Sequence, residues 1–218
     1  MAPYRQVGDL PQLIPVFPLD GALLLPGGEL PLQIFEPRYL NMVDDAMAGD
    51  RVIGMIQTRG GGRTRPKLAQ VGCLGRITSY AETSDGRYLI TLTGVCRFKA
   101  GEELDLRLPY RQLRADYEPF AADLARDEEE EAEPAARARF AKALKRYLNR
   151  RELDIDWDTA KEAPLEALVN SLCMGLPFEP AEKQAFLEAP DLSGRFEVLT
   201  TLLEIDASDP DDEHPQLQ

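Results

Sequence analysis

The rhythm of apolar and polar positions changes once along this chain. Up to about residue 117 the apolar residues come in short runs punctuated by proline and glycine; beyond it they recur every three or four residues. Leu13–Phe17, Ala22–Leu25 and Leu30–Ile34 are separated by Pro18, Gly21, Pro26, Gly27, Gly28 and Pro31, which is strand-and-turn spacing, because these residues interrupt helices and shape turns. Glu36-Pro37 then opens a helix, proline being tolerated at its first position. Tyr39, Leu40, Val43, Ala46 and Met47 give it one apolar face, and Gly49-Asp50 ends it. Val52–Gln57 reads as a buried strand. Val71–Ala81 and Tyr88–Phe98 read as longer strands joined by a hairpin at Ser84-Asp85-Gly86, and Leu106–Tyr117 as one more. Six or so strands with one early helix predict a small barrel, closed or nearly so, that would protect most sheet edges.

The second half is helical. Pro134 starts a helix with Phe140, Leu144, Tyr147 and Leu148 on its apolar face. Pro164 opens the next, with Leu165, Leu168, Val169, Leu172 and Leu176 inward. Pro180 starts a short one, and Asp191 caps a last one carrying Leu192, Phe196, Leu199 and Leu203. The predicted organisation is a loose leader (1–12), a β-rich barrel (13–118), an α-helical subdomain (119–206) and a disordered acidic tail (207–218), an α+β fold.

Charge supports two parts with different surfaces. Of the formal net charge of −13, none falls on residues 1–120, which carry 14 cations and 14 anions; residues 121–218 carry 11 and 24. An acidic balance argues against phosphate backbones as the main partner. Three separated cysteines, Cys73, Cys96 and Cys173, suit buried thiols in a reducing cytosol. No apolar stretch approaches the roughly 20 residues of a membrane span.

Candidate chemistry is sparse. Gly61-Gly62-Arg63-Thr64-Arg65-Pro66-Lys67-Leu68 fails as a phosphate loop: Pro66 has no amide hydrogen, and Leu68 stands where a magnesium-binding hydroxyl belongs. The single histidine, His214, and the absence of a CxxC pair argue against zinc and against histidine-based nucleophilic catalysis. The cations from Arg139 to Arg151 form a basic helix face, read as a solvated face paired with the acidic run Asp127–Glu133 and with Glu152, Asp154 and Asp156. Trp157 reads as a staple for the linker. Phe35, Arg38 and Tyr39, where strand gives way to helix, are candidate binding anchors, each a planar group with reach. Their other reading is that Phe35 and Tyr39 plug the barrel while Arg38 pairs with an acid.

Three stretches carry a family resemblance. The opening run Ile14-Pro15-Val16-Phe17-Pro18-Leu19 continues through Leu23–Glu29 to Glu36-Pro37-Arg38-Tyr39-Leu40. Val71-Gly72-Cys73-Leu74-Gly75-Arg76-Ile77 is followed by Gly94-Val95-Cys96-Arg97-Phe98, a G-x-x-R-F strand, and by Pro109-Tyr110. Leu176-Pro177-Phe178 precedes Glu182-Lys183-Gln184-Ala185-Phe186-Leu187-Glu188, then Asp191-Leu192 and Arg195-Phe196. Together, over roughly residues 13–205, these resemble the substrate-binding (amino-terminal) domain of Lon proteases. The resemblance implies a barrel of the pseudouridine-synthase-associated (PUA-like) type followed by a helical bundle.

Lon also needs an ATPase and a peptidase, and the residues here match neither, so the expectation is a non-catalytic cytoplasmic binding module without cofactor or metal. By resemblance its partners would be unfolded proteins, peptides or one specific protein, possibly a separate protease. The groove between barrel and helical bundle, any exposed apolar patch and the extended edges of the barrel would receive them. The alternative is a small-ligand or RNA binder that uses the PUA-like barrel.

Overall fold

The computed structural model describes residues 4–60, 66–104, 107–125 and 132–208. The glycine-rich Gly61–Arg65, most of the acidic run Asp127–Glu133 and the tail from residue 209 lie outside them. Six strands, β1 (Leu13–Pro18), β2 (Glu29–Ile34), β3 (Val52–Thr58), β4 (Leu68–Glu82), β5 (Tyr88–Leu104) and β6 (Arg111–Asp116), form one sheet, with α1 (Pro37–Ala48) inserted after β2. The spatial order is β2-β5-β4-β3-β1-β6, and β6 pairs with β5 as well. The pairings β1–β3–β4–β5–β6–β1 therefore return to their start. Only β1–β3 is parallel. β2 stands outside this circuit and, among the described residues, is paired on one side alone.

β5 makes the circuit possible. Tyr88–Thr93 pairs with β2, Tyr88–Lys99 with β4, and Lys99–Leu104 with β6. Register shifts at Leu74/Gly75, Ile77/Ser79 and Ala100/Glu103 bend the long strands, as extra residues in a ladder do. β5 runs beyond the expected Tyr88–Phe98 because Lys99–Leu104, nearly without apolar periodicity, is held by a partner strand. Of the expected strand Leu106–Tyr117, Arg111–Asp116 is strand and Leu106 lies outside the described residues.

The Ala22–Leu25 run is no strand. Leu23, Leu24 and Leu25 are all buried, whereas successive strand side chains point to opposite faces, so an irregular segment fills the core here. The leader is not loose either: from Tyr4 the chain packs inward, Leu10 is buried with Ile14, Leu74, Phe98, Leu113 and Tyr117, and Tyr4 and Val7 pack against that cluster. On α1 the buried face is Tyr39, Met42, Val43 and Ala46; Met42 joins it, and the expected Leu40 and Met47 are only half-buried. The Ser84-Asp85-Gly86 hairpin forms as expected: Gly86 adopts φ +78° and the Thr83 N–H donates to the Arg87 carbonyl at 2.9 Å.

The helices that follow are α2 (Pro134–Arg150), α3 (Trp157–Glu162), α4 (Leu165–Gly175), α5 (Pro180–Glu188) and α6 (Leu192–Ser208). The chain packs as two compact units that do not follow its order. The first comprises Met1–Glu128 with Asn170–Glu188, the second Glu129–Val169 with Ala189–Gln218. In the first, the Asn170 amide donates to the Pro26 carbonyl at 2.9 Å, Lys183 Nζ to Gly21 at 2.7 Å and the Gln184 amide to Val71 at 3.2 Å. Buried Gln57 donates to the Pro180 carbonyl at 3.0 Å and to Gln184 Oε1 at 3.2 Å. These bonds tie the middle of α4 and the start and middle of α5 to the sheet and to the irregular segment between β1 and β2.

In the second unit α2 packs on α6 through Phe140 and Phe196, ring centroids 5.0 Å apart. Among the described residues, which leave out most of the acidic run Asp127–Glu133, the basic helix has partners that are not among the expected ones. Arg139 pairs with Glu204 at 2.7 Å and Glu197 at 3.2 Å, and Arg151 with Asp206, all acids of α6. Asp156 instead caps α3, accepting from the Asp158 and Thr159 N–H groups at 3.1 Å. Those bonds hold its carboxyl below the usual carboxylate range, the Thr159 hydroxyl contributing most. Half-buried Trp157 sits in the first turn of α3.

Candidate functional site: the free edge of β2

The turn before β2 sets how this strand meets β5. Gly27, at φ +77°, donates its N–H to the Gly94 carbonyl, and the Gly94 N–H donates to the Gly28 carbonyl, both at 2.9 Å. This is a bulge with glycine in the left-handed position. From the bonded pair Gly28/Gly94 the ladder alternates: Leu30, Leu32 and Ile34 turn their backbone groups toward Leu92, Ile90 and Tyr88, and Glu29, Pro31 and Gln33 turn theirs away. Pro31, which has no N–H to give, thus falls where none is needed for the sheet. The outward edge offers N–H groups at Glu29 and Gln33 and carbonyls at all three positions.

The pleat sorts the side chains too. Leu30, Leu32 and Ile34 face the protein, and Glu29, Pro31 and Gln33 are exposed. Phe35 continues the exposed series at the end of the strand, 62% accessible, and the Arg87 guanidinium lies 6.0 Å over its ring. Leu89, opposite Gln33, is on the same outer face and is also exposed. Leu89 is legible as an apolar residue at an outward-facing position between Tyr88 and Ile90, but only once the register of β5 is known.

The three sequence candidates are therefore not equivalent. Phe35 is free to make contacts. Arg38 is exposed, ion-paired to Glu36 at 2.8 Å and stacked 4.5 Å over the Tyr39 ring. Tyr39 is buried against Phe17, ring centroids 4.2 Å apart, and burial pushes its hydroxyl pKa up. Tyr39 is thus the foundation on which Arg38 rests, and α1 holds Arg38 near Phe35.

α1 is itself pinned by two neighbouring acids. Tyr88 donates to Asp44 at 2.9 Å and Tyr110 to Asp45 at 2.7 Å. The bond to Asp44 raises the Tyr88 pKa, while burial and then Asp45 push that of Tyr110 up to about 12. Both hydroxyls remain protonated donors throughout the neutral range.

No group of three metal-binding side chains occurs among the described residues, and no described helix is long and apolar enough to cross a membrane. The chemistry offered is recognition: backbone hydrogen bonds along one strand edge, apolar contact at Phe35 and Leu89, and cations at Arg38 and Arg87.

The architecture is a mixed α/β fold in which one six-stranded sheet is completed by later helices. A family model described as the ATP-dependent protease La (LON) substrate-binding domain matches residues 13–204, and the chain belongs to that family. It is 28% identical over 206 residues to Lon protease 2 of Myxococcus xanthus, spanning 89% of this chain and 24% of that protein. To Lon protease of Syntrophus aciditrophicus it is 32% identical over 113 residues, 49% of this chain and 14% of the relative. The chain thus corresponds to about a quarter or less of these relatives' length. Two solved structures share the fold. The N-terminal domain of Mycobacterium avium complex Lon protease has a TM-score of 0.62 at 20% identity, covering 88% of this chain and 98% of that one. The Lon N-terminal domain protein from Xanthomonas campestris has a TM-score of 0.61 at 21% identity, covering 87% and 97%.

Proposed function

We propose that this chain is a binding module for unfolded polypeptide segments, which it receives along the free edge of β2, and that it performs no chemistry on them. Family membership supports protein substrates as the class of ligand. The observation that carries the reading is the outer edge itself: outward backbone groups at Glu29, Pro31 and Gln33 ending on exposed Phe35. An added strand gains affinity from main-chain hydrogen bonds and selectivity from alternate side chains. The missing donor at Pro31 weakens this edge as a template for self-association, so Phe35 and Leu89 must supply much of the affinity. We read the circuit of β1, β3, β4, β5 and β6 as a PUA-like barrel and the later helices as its completion. Delivery of the held segment to a separate protease is part of the same proposal, as is a cytoplasmic setting.

The test is binding of a fluorescent, permanently unfolded polypeptide, with a folded protein and RNA as controls, across a salt series. Saturable binding to the unfolded chain with a shallow salt slope is expected. Phe35→Ser should weaken it by roughly tenfold, the worth of an interface anchor of about 1.4 kcal/mol, and leave the melting temperature nearly unchanged because Phe35 is exposed. RNA bound in preference, with a steep salt dependence, would replace this reading with the RNA-binding alternative.

A further inference from the structure

On the proposed β2 edge, charge and apolar surface sit at opposite ends. Glu29 opens the strand and Phe35 follows its end, six positions on. Both are exposed and both belong to the outward series. The Glu29 side chain has no hydrogen-bond or ion-pair partner among the described residues. Thr93, opposite it on β5, engages its hydroxyl with that of Thr78 at 3.0 Å, and exposed Gly27 nearby brings no side chain. The cations at the other end are already matched: Arg38 pairs with Glu36 at 2.8 Å and Arg87 with Asp85 at 2.9 Å. Among the described residues of this edge, Glu29 is therefore the charge left unbalanced.

We infer that the bound segment runs antiparallel to β2, with an apolar residue beside Phe35 and, six positions later, a lysine or arginine opposite Glu29; this deepens the edge reading and depends on it. Direction follows from the sheet. β2 and β5 are already antiparallel, and the face beside the edge is exposed to solvent at Pro31, Gln33 and Leu89. Sheets solvated on one face are commonly antiparallel, whereas parallel strands are usually covered on both. Antiparallel pairs are also slightly more stable per residue. Register follows from the side chains. Positions six apart on a strand share a face, so the residues opposite Phe35 and Glu29 both lie on the outer face. Because the segment runs against β2, the residue beside Phe35 comes first. Opposite charges directly across two strands attract and like charges repel, so Glu29 favours a cation there and disfavours an acid. The formal charge of −13 on the whole chain draws basic segments toward it in the same sense.

The experiment is fluorescence anisotropy on the full chain at low ionic strength, where an exposed pair is least screened. Three labelled peptides share one threonine-rich background: phenylalanine followed six positions later by lysine, the same residues in reverse order, and the first peptide with glutamate in place of lysine. The forward lysine peptide is expected to bind about fivefold tighter than the reversed one and about tenfold tighter than the glutamate one, the upper end of what a cross-strand pair contributes. Glu29→Lys should invert the charge preference, so that the glutamate peptide binds better than the lysine peptide, a gain that a merely weakened edge cannot produce. Glu29 is exposed, so this reversal should leave the melting temperature nearly unchanged. Equal affinity for the two orders would overturn the direction, and a charge preference that Glu29→Lys leaves as it was would overturn the contact. Phe35→Ser, which should weaken the forward peptide, reads the edge separately. If it does so while both orders and both charges bind alike, the polarity fails and the edge stands. If no peptide binds, or Phe35→Ser changes nothing, the edge fails and the polarity with it.

Discussion

Replacing Arg97 with alanine is expected to lower the stability of the sheet unit by about 3–5 kcal/mol, the cost of removing one partner from a buried ion pair. Arg97 and Asp123 are nearly inaccessible, with side chains 3% and 8% exposed. Arg97 Nε and Nη2 reach the two oxygens of Asp123 at 2.9 and 2.8 Å, Nη1 donates to the Leu187 carbonyl at 3.2 Å, and the guanidinium stacks 4.5 Å over Phe120. One side chain of β5 thus binds the segment after β6 and the end of α5. The loss in Arg97→Ala comes mainly from the Asp123 carboxylate left in a dry site. Urea unfolding checks this, and Arg97→Met combined with Asp123→Leu should lose much less than either single change, because no uncompensated charge remains. Arg97→Lys should recover only part, since an ammonium cannot reproduce the flat fork of donors. A single-variant loss below about 1 kcal/mol would show the pair to be solvated and worth no more than a surface bridge.

The next largest effect is expected at Gly94. A Cβ there would stand 2.0 Å from the Leu25 carbonyl oxygen and 2.7 Å from its carbon. These are backbone atoms and cannot rotate aside. To admit a methyl group the Leu25–Gly28 turn must lift, breaking the two Gly27–Gly28/Gly94 bonds that set the register of β2. Gly94→Ala should therefore cost about 3 kcal/mol, at the upper end of overpacking, and lower the melting temperature by about 6–12 °C for a protein of this size. It should also weaken binding of unfolded polypeptide, because β2 carries the proposed edge. A melting point within about 2 °C of wild type, with binding unchanged, would mean that this turn does not position β2.

Much of the fold is legible in the residues because local signals and tertiary packing agree there. Pro37, Pro134 and Pro180 start helices, Gly86 turns the hairpin, and α6 buries Phe196, Leu199 and Leu203 as its periodicity demands. The resemblance motifs gain physical content from the structure. In Gly94-x-x-Arg97-Phe98 the glycine admits the Leu25 carbonyl, the arginine ties three segments together and the phenylalanine is in the core. In Glu182–Glu188, Lys183 and Gln184 bond to the sheet and the Leu187 carbonyl accepts from Arg97.

What escapes the residues is whatever depends on a remote partner. Lys99–Leu104 becomes strand because β6 lies beside it. Leu23–Leu25 is buried without being a strand because an irregular segment can turn three successive side chains inward. Arg139 finds acids on α6, about 60 residues away in the chain. The candidate site shows the same division. A binding anchor at Phe35 is suggested by residue type, but separating exposed Phe35 from buried Tyr39 needs the packing of Phe17, and adding Leu89 needs the register of β5 against β2.

Addition of an unfolded segment to the outer edge of β2 would be visible in the backbone amide signals of isotope-labelled protein titrated with an unlabelled unfolded peptide. The Glu29 and Gln33 amides, which face away from β5, should shift and gain protection from solvent exchange, together with a shift at Phe35. The Leu30, Leu32 and Ile34 amides, already bonded to β5, should keep their protection. Saturable binding with perturbations that leave Glu29, Gln33 and Phe35 untouched would rule out addition at this edge and move the recognition surface elsewhere on the molecule.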